Sequence, residues 1–204
     1  IMNTNSKTLY ETWDKRWEGS EEEERLTFIG KIMFKAKEKV LTTAIKDITN
    51  ANVIEVGCGL GHTMEVYKKN GLKCVGIDVS SHAISVCRNK GLNVTQRKLE
   101  DITEKYDLVS SDGMLEHFLN FEPYAQQLMN ISKDYVLLIQ PNHDSFWGKT
   151  LAYLAELLRG RENVFEYNYR IKDFITVFQN NGFMITGNYP IFCDVFRLLL
   201  FKKA

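Results

Sequence analysis

Two acids and three glycines are the residues of this chain best placed to do chemistry. In "VIEVGCGLGHT" (residues 53–63) an apolar run carries Glu55, and glycines follow at 57, 59 and 61. A loop so poor in side chains lets a ligand press against the backbone. Bare N–H groups at the start of a following helix favour an anionic group there. The second acid, Asp78 in "VGIDVS", lies 21 residues beyond Gly57. A carboxylate at that distance can accept both hydroxyls of a ribose. Loop and acid together describe a ligand that contains a nucleoside. Asp78 has a plainer reading as the cap of the next helix.

These residues need a scaffold, and the hydrophobic pattern supplies one. Residues 22–49 carry apolar side chains at three-to-four spacing, acids early and lysines late, as in a helix. The run "EEEE" (21–24) reads as its solvated start. "NVIEVG" is a short strand, "HTMEVYKKNG" a helix closed by Gly71, and "KCVGIDVS" a second strand. "SHAISVCRNKG" is a helix capped by Ser80 or Ser81 and closed by Gly91. "NVTQRKL" and "YDLVSSDG" are strands, "LEHFLNFEPYAQQLMNIS" a helix, and "DYVLLIQP" a fifth strand. After the helix "IKDFITVFQNNG", two strands joined by a short connection predict an antiparallel hairpin. The expected fold is α/β: a Rossmann-like, seven-stranded, mostly parallel sheet with helices on both faces and a C-terminal antiparallel hairpin. Residues 1–204 read as one domain. Residues 1–30 form an N-terminal lid or helical segment, and residues 142–170 an insertion on the substrate side.

Composition narrows the function classes. The chain has 204 residues, 44% hydrophobic and 25% charged, with 26 basic and 26 acidic side chains. Zero net charge does not suggest a nucleic-acid or anionic-membrane binder. Cys58, Cys74, Cys87 and Cys193 form no CxxC pair and read as free thiols. The opening segment has no apolar core of the signal-peptide type, and no stretch approaches the roughly 18 apolar residues of a membrane span. A cytoplasmic protein is expected.

Three features separate the nucleoside ligands. The spacing is G-x-G-x-G and residue 62 is His, so the dinucleotide fingerprint fails at its third glycine. Glu55 would repel a pyrophosphate but could help hold an ammonium group. The terminal hairpin is not a Rossmann dehydrogenase ending. The ordered segments "VIEVGCGLG", "VGIDVS", "KLED", "YDLVSSDGMLEHF" and "YVLLIQPN" resemble class I S-adenosylmethionine (SAM)-dependent methyltransferases. The likeness is strongest to the small-molecule, type 11/12-like group that includes the ubiquinone-biosynthesis type, and it covers somewhat under half of the chain.

The resemblance implies SAM as cofactor, with S-adenosylhomocysteine (SAH) as its product. Carried over, Glu55, Gly57, Cys58, Gly59 and Gly61 would line the amino-acid part of SAM. Asp78 would bind the ribose and Val79 the adenine, with Leu99 and Glu100 on the adenine's other side. Ser111 and Asp112 would lie beside the methionine moiety. Lys98 stands where the family often has Asp. Gly113 stands where related quinone-pathway enzymes often have an acid, so no metal is expected at Glu116 and His117. Tyr10, Trp13 and Trp17 read as core aromatics or, as in similar proteins, a lid over the cofactor.

Methyl transfer from a sulfonium is an in-line displacement that demands alignment and exclusion of water, and a base only for some acceptors. His117 and His143 are candidate bases, with Asp144 beside them. His117 reads first as a structural residue packed at a helix start, and His143 and Asp144 as easily as turn and cap residues. Asn142, Phe146, Trp147, Tyr167 and Tyr169 could shape the acceptor pocket. The expected acceptor is a small, partly apolar molecule. Two other readings stay open: a non-catalytic SAM-fold binding protein and an NAD-dependent oxidoreductase.

Overall fold

The computed structural model describes residues 13–15, 17, 28–150 and 167–204. Its elements alternate as the apolar runs require. Helix α1 (Phe28–Ile45) precedes β1 (Asn52–Val56), in which every residue after the first is buried. Then come α2 (His62–Lys69), β2 (Lys73–Asp78), α3 (Ser81–Asn89), β3 (Val94–Gln96) and β4 (Tyr106–Asp112). Next follow α4 (Glu122–Ile131), β5 (Ser132–Pro141), α5 (Ile171–Asn180), β6 (Phe183–Ile191) and β7 (Phe196–Lys203). Gly71 and Gly91 sit just past α2 and α3 at φ 76° and 68°, closing both helices as expected. Ser80 is the N-cap of α3, its hydroxyl accepting the Ala83 N–H at 3.1 Å.

The strand order is β3-β2-β1-β4-β5-β7-β6. Strands β1 to β5 run parallel, and β7 pairs antiparallel with both β5 and β6. Strand order reverses between β1 and β4, which opens a crevice at their carboxyl ends. Pro190, which cannot donate to a ladder, lies on β6, the edge strand. Helices α4 and α5 cover one face over a core that includes Ile54, Val109, Leu138, Phe174 and Phe201. Helices α1 and α2 cover the other over Val53, Tyr67, Leu137 and Leu198, and α3 extends that layer through Ile84 and Cys87.

Two elements differ from expectation. The helix read over residues 115–132 is broken into a 3-10 turn (Leu115–His117) and α4. Pro123 stands in the first turn of α4, where its missing N–H costs nothing, and it would break a helix continuing from residue 115. The apolar rhythm hides the break because Leu115, Phe121, Ala125 and Leu128 all reach one core. The third strand is shorter than read, and Leu99–Asp101 form a second 3-10 turn. Residues 21–27 of the first expected helix and residues 151–166 of the expected insertion lie outside the described residues. Among the described residues, no helix is long and apolar enough to cross a membrane.

Candidate functional site

The glycine loop joins β1 to α2 at the crevice. Gly57, Gly59 and Gly61 take φ of 70°, 48° and 84°, in the left-handed region that favours glycine. The amides of these three glycines bond within the chain. Gly57 and Cys58 donate to the Ile77 carbonyl at 2.9 and 3.0 Å, and Gly61 donates to the Cys58 carbonyl at 2.9 Å. Gly59 donates to Asp78 Oδ2 at 2.9 Å. The loop is therefore stitched to the end of β2, and what it contributes is shape.

Asp78 is rigid in this frame. Its second oxygen accepts the Ser80 N–H at 2.8 Å. Burial pushes its carboxyl up, while the Ser80 and Gly59 N–H bonds act against that rise. A carboxylate has about four acceptor positions, so the N–H bonds from Ser80, Gly59 and Val79 leave room for a hydroxyl donor. The hydroxyls of a ribose can donate to this acceptor. Val79 follows, half-buried, its carbonyl held by Gln96 Nε2 at 2.9 Å. Leu99 is in the core and Glu100 is exposed.

A polar cluster lies where β1 and β4 end. Glu55 is buried on the α1–α2 face, and burial pushes its carboxyl up to about 8. It packs against Ser110, whose hydroxyl accepts from Tyr67 at 2.6 Å. Ser111 donates to the Val56 carbonyl at 3.0 Å, tying β4 to β1. Asp112 accepts Lys37 Nζ with both oxygens, at 3.0 and 2.8 Å, and the Thr63 hydroxyl at 3.1 Å. Lys37, Thr63, Tyr67 and Ser110 were not singled out from the sequence. Lys37 lies 75 residues from its partner, and no local spacing announces such a pair.

The aromatic segment at the N-terminus reaches the glycine loop. A Cβ on Gly59 would lie 2.8 Å from the Trp17 ring, so the indole rests on that glycine. Trp13 stacks with Trp17 at 6.3 Å and meets His117 edge-on at 4.9 Å. Asp14 accepts the Ser80 hydroxyl at 2.6 Å, and that bond with its neighbours at the start of α3 holds its carboxyl low. Tyr10 lies outside the described residues.

The residues expected to hold the acceptor are scattered. His117 and Glu116 approach to 4.0 Å on the 3-10 turn. Asn142 is buried just past β5, its Oδ1 accepting the Asp144 N–H at 3.2 Å, and His143 beside it is half-buried. Phe146 and Trp147 meet edge-on at 5.4 Å but are 75% and 53% exposed. Tyr169 donates its hydroxyl to the Phe118 and Leu119 carbonyls at 3.0 and 2.7 Å and packs on Phe121 and Phe174. It clamps α4 to α5. The Tyr167 N–H donates to the Glu116 carbonyl at 2.8 Å. Gln140, which sequence reading passed over, is fully buried at the carboxyl end of β5, and neither polar atom of its amide has a partner. Among the described residues, no cluster of three or more His, Cys, Asp or Glu could hold a metal.

Residues 29–187 match the model of a family described as a methyltransferase domain. No curated protein matches the chain in sequence. Among solved structures, the chain is similar to magnesium protoporphyrin IX methyltransferase from Synechocystis PCC 6803 with bound SAH. That pair has a TM-score of 0.71 and 17% identity, covering 97% of this chain and 95% of the other. A SAM-dependent methyltransferase from Thermotoga maritima, a possible histamine N-methyltransferase, has a TM-score of 0.73 and 14% identity. It covers 95% of this chain and 100% of the other. Likeness at these identities is likeness of fold.

Proposed function

This chain belongs to the methyltransferase domain family, and we propose that the acceptor it methylates, with SAM as donor, is a small, partly apolar molecule. The observation that carries the assignment is the family match over residues 29–187, which spans the glycine loop and Asp78. Two further features favour a small acceptor. Acidic and basic side chains balance at 26 each, which gives no overall attraction to a polyanion. The solved structures of like fold include a magnesium protoporphyrin IX methyltransferase and a possible histamine N-methyltransferase.

In this reading SAM supplies an electrophilic methyl group on a sulfonium with a neutral leaving group. The chain's own residues hold and align. Asp78 accepts the ribose hydroxyls, the glycine loop lets the amino-acid part approach, and Asp112 faces the methionine end. Val79 and Leu99 pack on the adenine, with Glu100 at its rim. Trp13 and Trp17 act as a lid that excludes water, anchored by Asp14 on α3. His117, which meets the Trp13 ring edge-on, is the favoured base where an acceptor must lose a proton.

Titration calorimetry of the protein with SAM, SAH and NAD tests this reading. SAM and SAH bind in the micromolar range, and Asp78→Ala weakens both at least tenfold, about the loss of one charged hydrogen-bond partner. Binding of NAD alone would overturn the assignment. Binding of SAM without turnover across a panel of phenols, amines and thiols would move the function to a non-catalytic partner role.

A further inference from the structure

Lys37 carries α1 into a hydrogen bond at the carboxyl edge of the sheet. Its ammonium bridges both oxygens of Asp112, and it lies 5.4 Å from the centre of the Phe196 ring at the start of β7. Thr63, in the first turn of α2, donates to the same carboxylate. Both partners of the ion pair are largely shielded, at 16% and 18% side-chain exposure. The other acid of this corner, Glu55, keeps its proton up to about pH 8. The corner thus pairs the Asp112 carboxylate with the Lys37 ammonium.

We propose that Lys37 sets this enzyme's preference between its charged donor and its neutral product, by compensating Asp112 at the methionine end of the cofactor site. The inference rests on the reading that places Asp112 beside the methionine moiety. SAM and SAH differ at one atom: the sulfonium carries a positive charge and the thioether none. An uncompensated carboxylate would favour SAM over SAH. It would do so most before transfer, since the positive charge leaves the sulfur as the methyl departs. Attraction that is strongest in the ground state deepens binding without lowering the barrier. Lys37 cancels that attraction while holding Asp112 in one orientation. Charge interactions over several ångströms in a partly shielded site are worth a factor of about ten or more in affinity, so the effect is measurable.

The test is calorimetry at pH 7 with SAM and SAH on the wild type, Lys37→Met, Lys37→Arg and Asp112→Asn. Circular dichroism checks each variant for folding. Lys37→Met should raise the ratio of SAM to SAH affinity about tenfold, and Lys37→Arg should restore it. Asp112→Asn, which leaves Lys37 unopposed, should move the ratio in the opposite direction. If both affinities fall in parallel with the ratio unchanged, Lys37 merely fastens α1 to the sheet and the proposal fails. A wild type that binds neither ligand would overturn the cofactor reading, and this inference with it.

Discussion

Glu55 shows how one residue's environment sets its chemistry. Burial raises its carboxyl from an ordinary 4.5 to about 8. The unfolded chain releases this proton above about pH 4.5, while the folded chain keeps it to about 8. The folded state thus binds more protons across that window, and this group's contribution lowers stability as pH rises through it. Glu55→Gln should remove that slope. Thermal unfolding should show the variant gaining on the wild type by a few kcal/mol at pH 8, with the gap closing towards pH 5. An equal gap at both pH values would mean that Glu55 is ionised in the folded protein. The sequence marked Glu55, from its place before the glycines, as an acid that could help hold an ammonium group. The rise of its carboxyl comes from burial, which no local spacing reveals.

The elements carry two further tests. Gly61 ends the loop and opens α2 at φ 84°, and a Cβ there would lie 2.4 Å from Leu92 and 2.9 Å from the Cys87 sulfur. Gly61→Ala combines backbone strain with overpacking and should cost about 2–4 kcal/mol in urea unfolding. At the end of β5, the buried Gln140 amide has no partner. Replacing such a group by an apolar one of similar shape removes a desolvation cost, so Gln140→Leu should leave stability unchanged or raise it by about 1 kcal/mol. A clear loss of stability would mean that the amide is hydrogen-bonded in solution. The element boundaries themselves were legible where glycine or serine punctuates the chain, as at Gly71, Ser80 and Gly91. They were illegible at residues 115–132, where apolar periodicity runs across a break that Pro123 enforces.

At the scale of the whole molecule, the C-terminal hairpin completes the sheet. Strand β7 lies between β5 and β6, and Phe201 is fully buried, stacked on Phe178 at 4.4 Å. Phe201→Ala should cost about 3–5 kcal/mol, seen as a large drop in melting temperature. A small drop would show that the hairpin is not integral to the core. The amino-acid sequence by itself determined the alternation of strands and helices, the hairpin, the glycine loop, and the acid that follows it at the end of β2. These depend on periods of two and 3.6 residues and on residue types that punctuate a backbone, and such information is local. Tertiary structure alone decided that β7 inserts beside β5, that the loop's amides turn inward onto Ile77 and Asp78, and that Tyr169 clamps two helices. It alone joined Lys37 to Asp112. Those outcomes depend on which distant surfaces meet when the apolar faces are buried, and a pairing across 75 residues leaves no trace in local pattern.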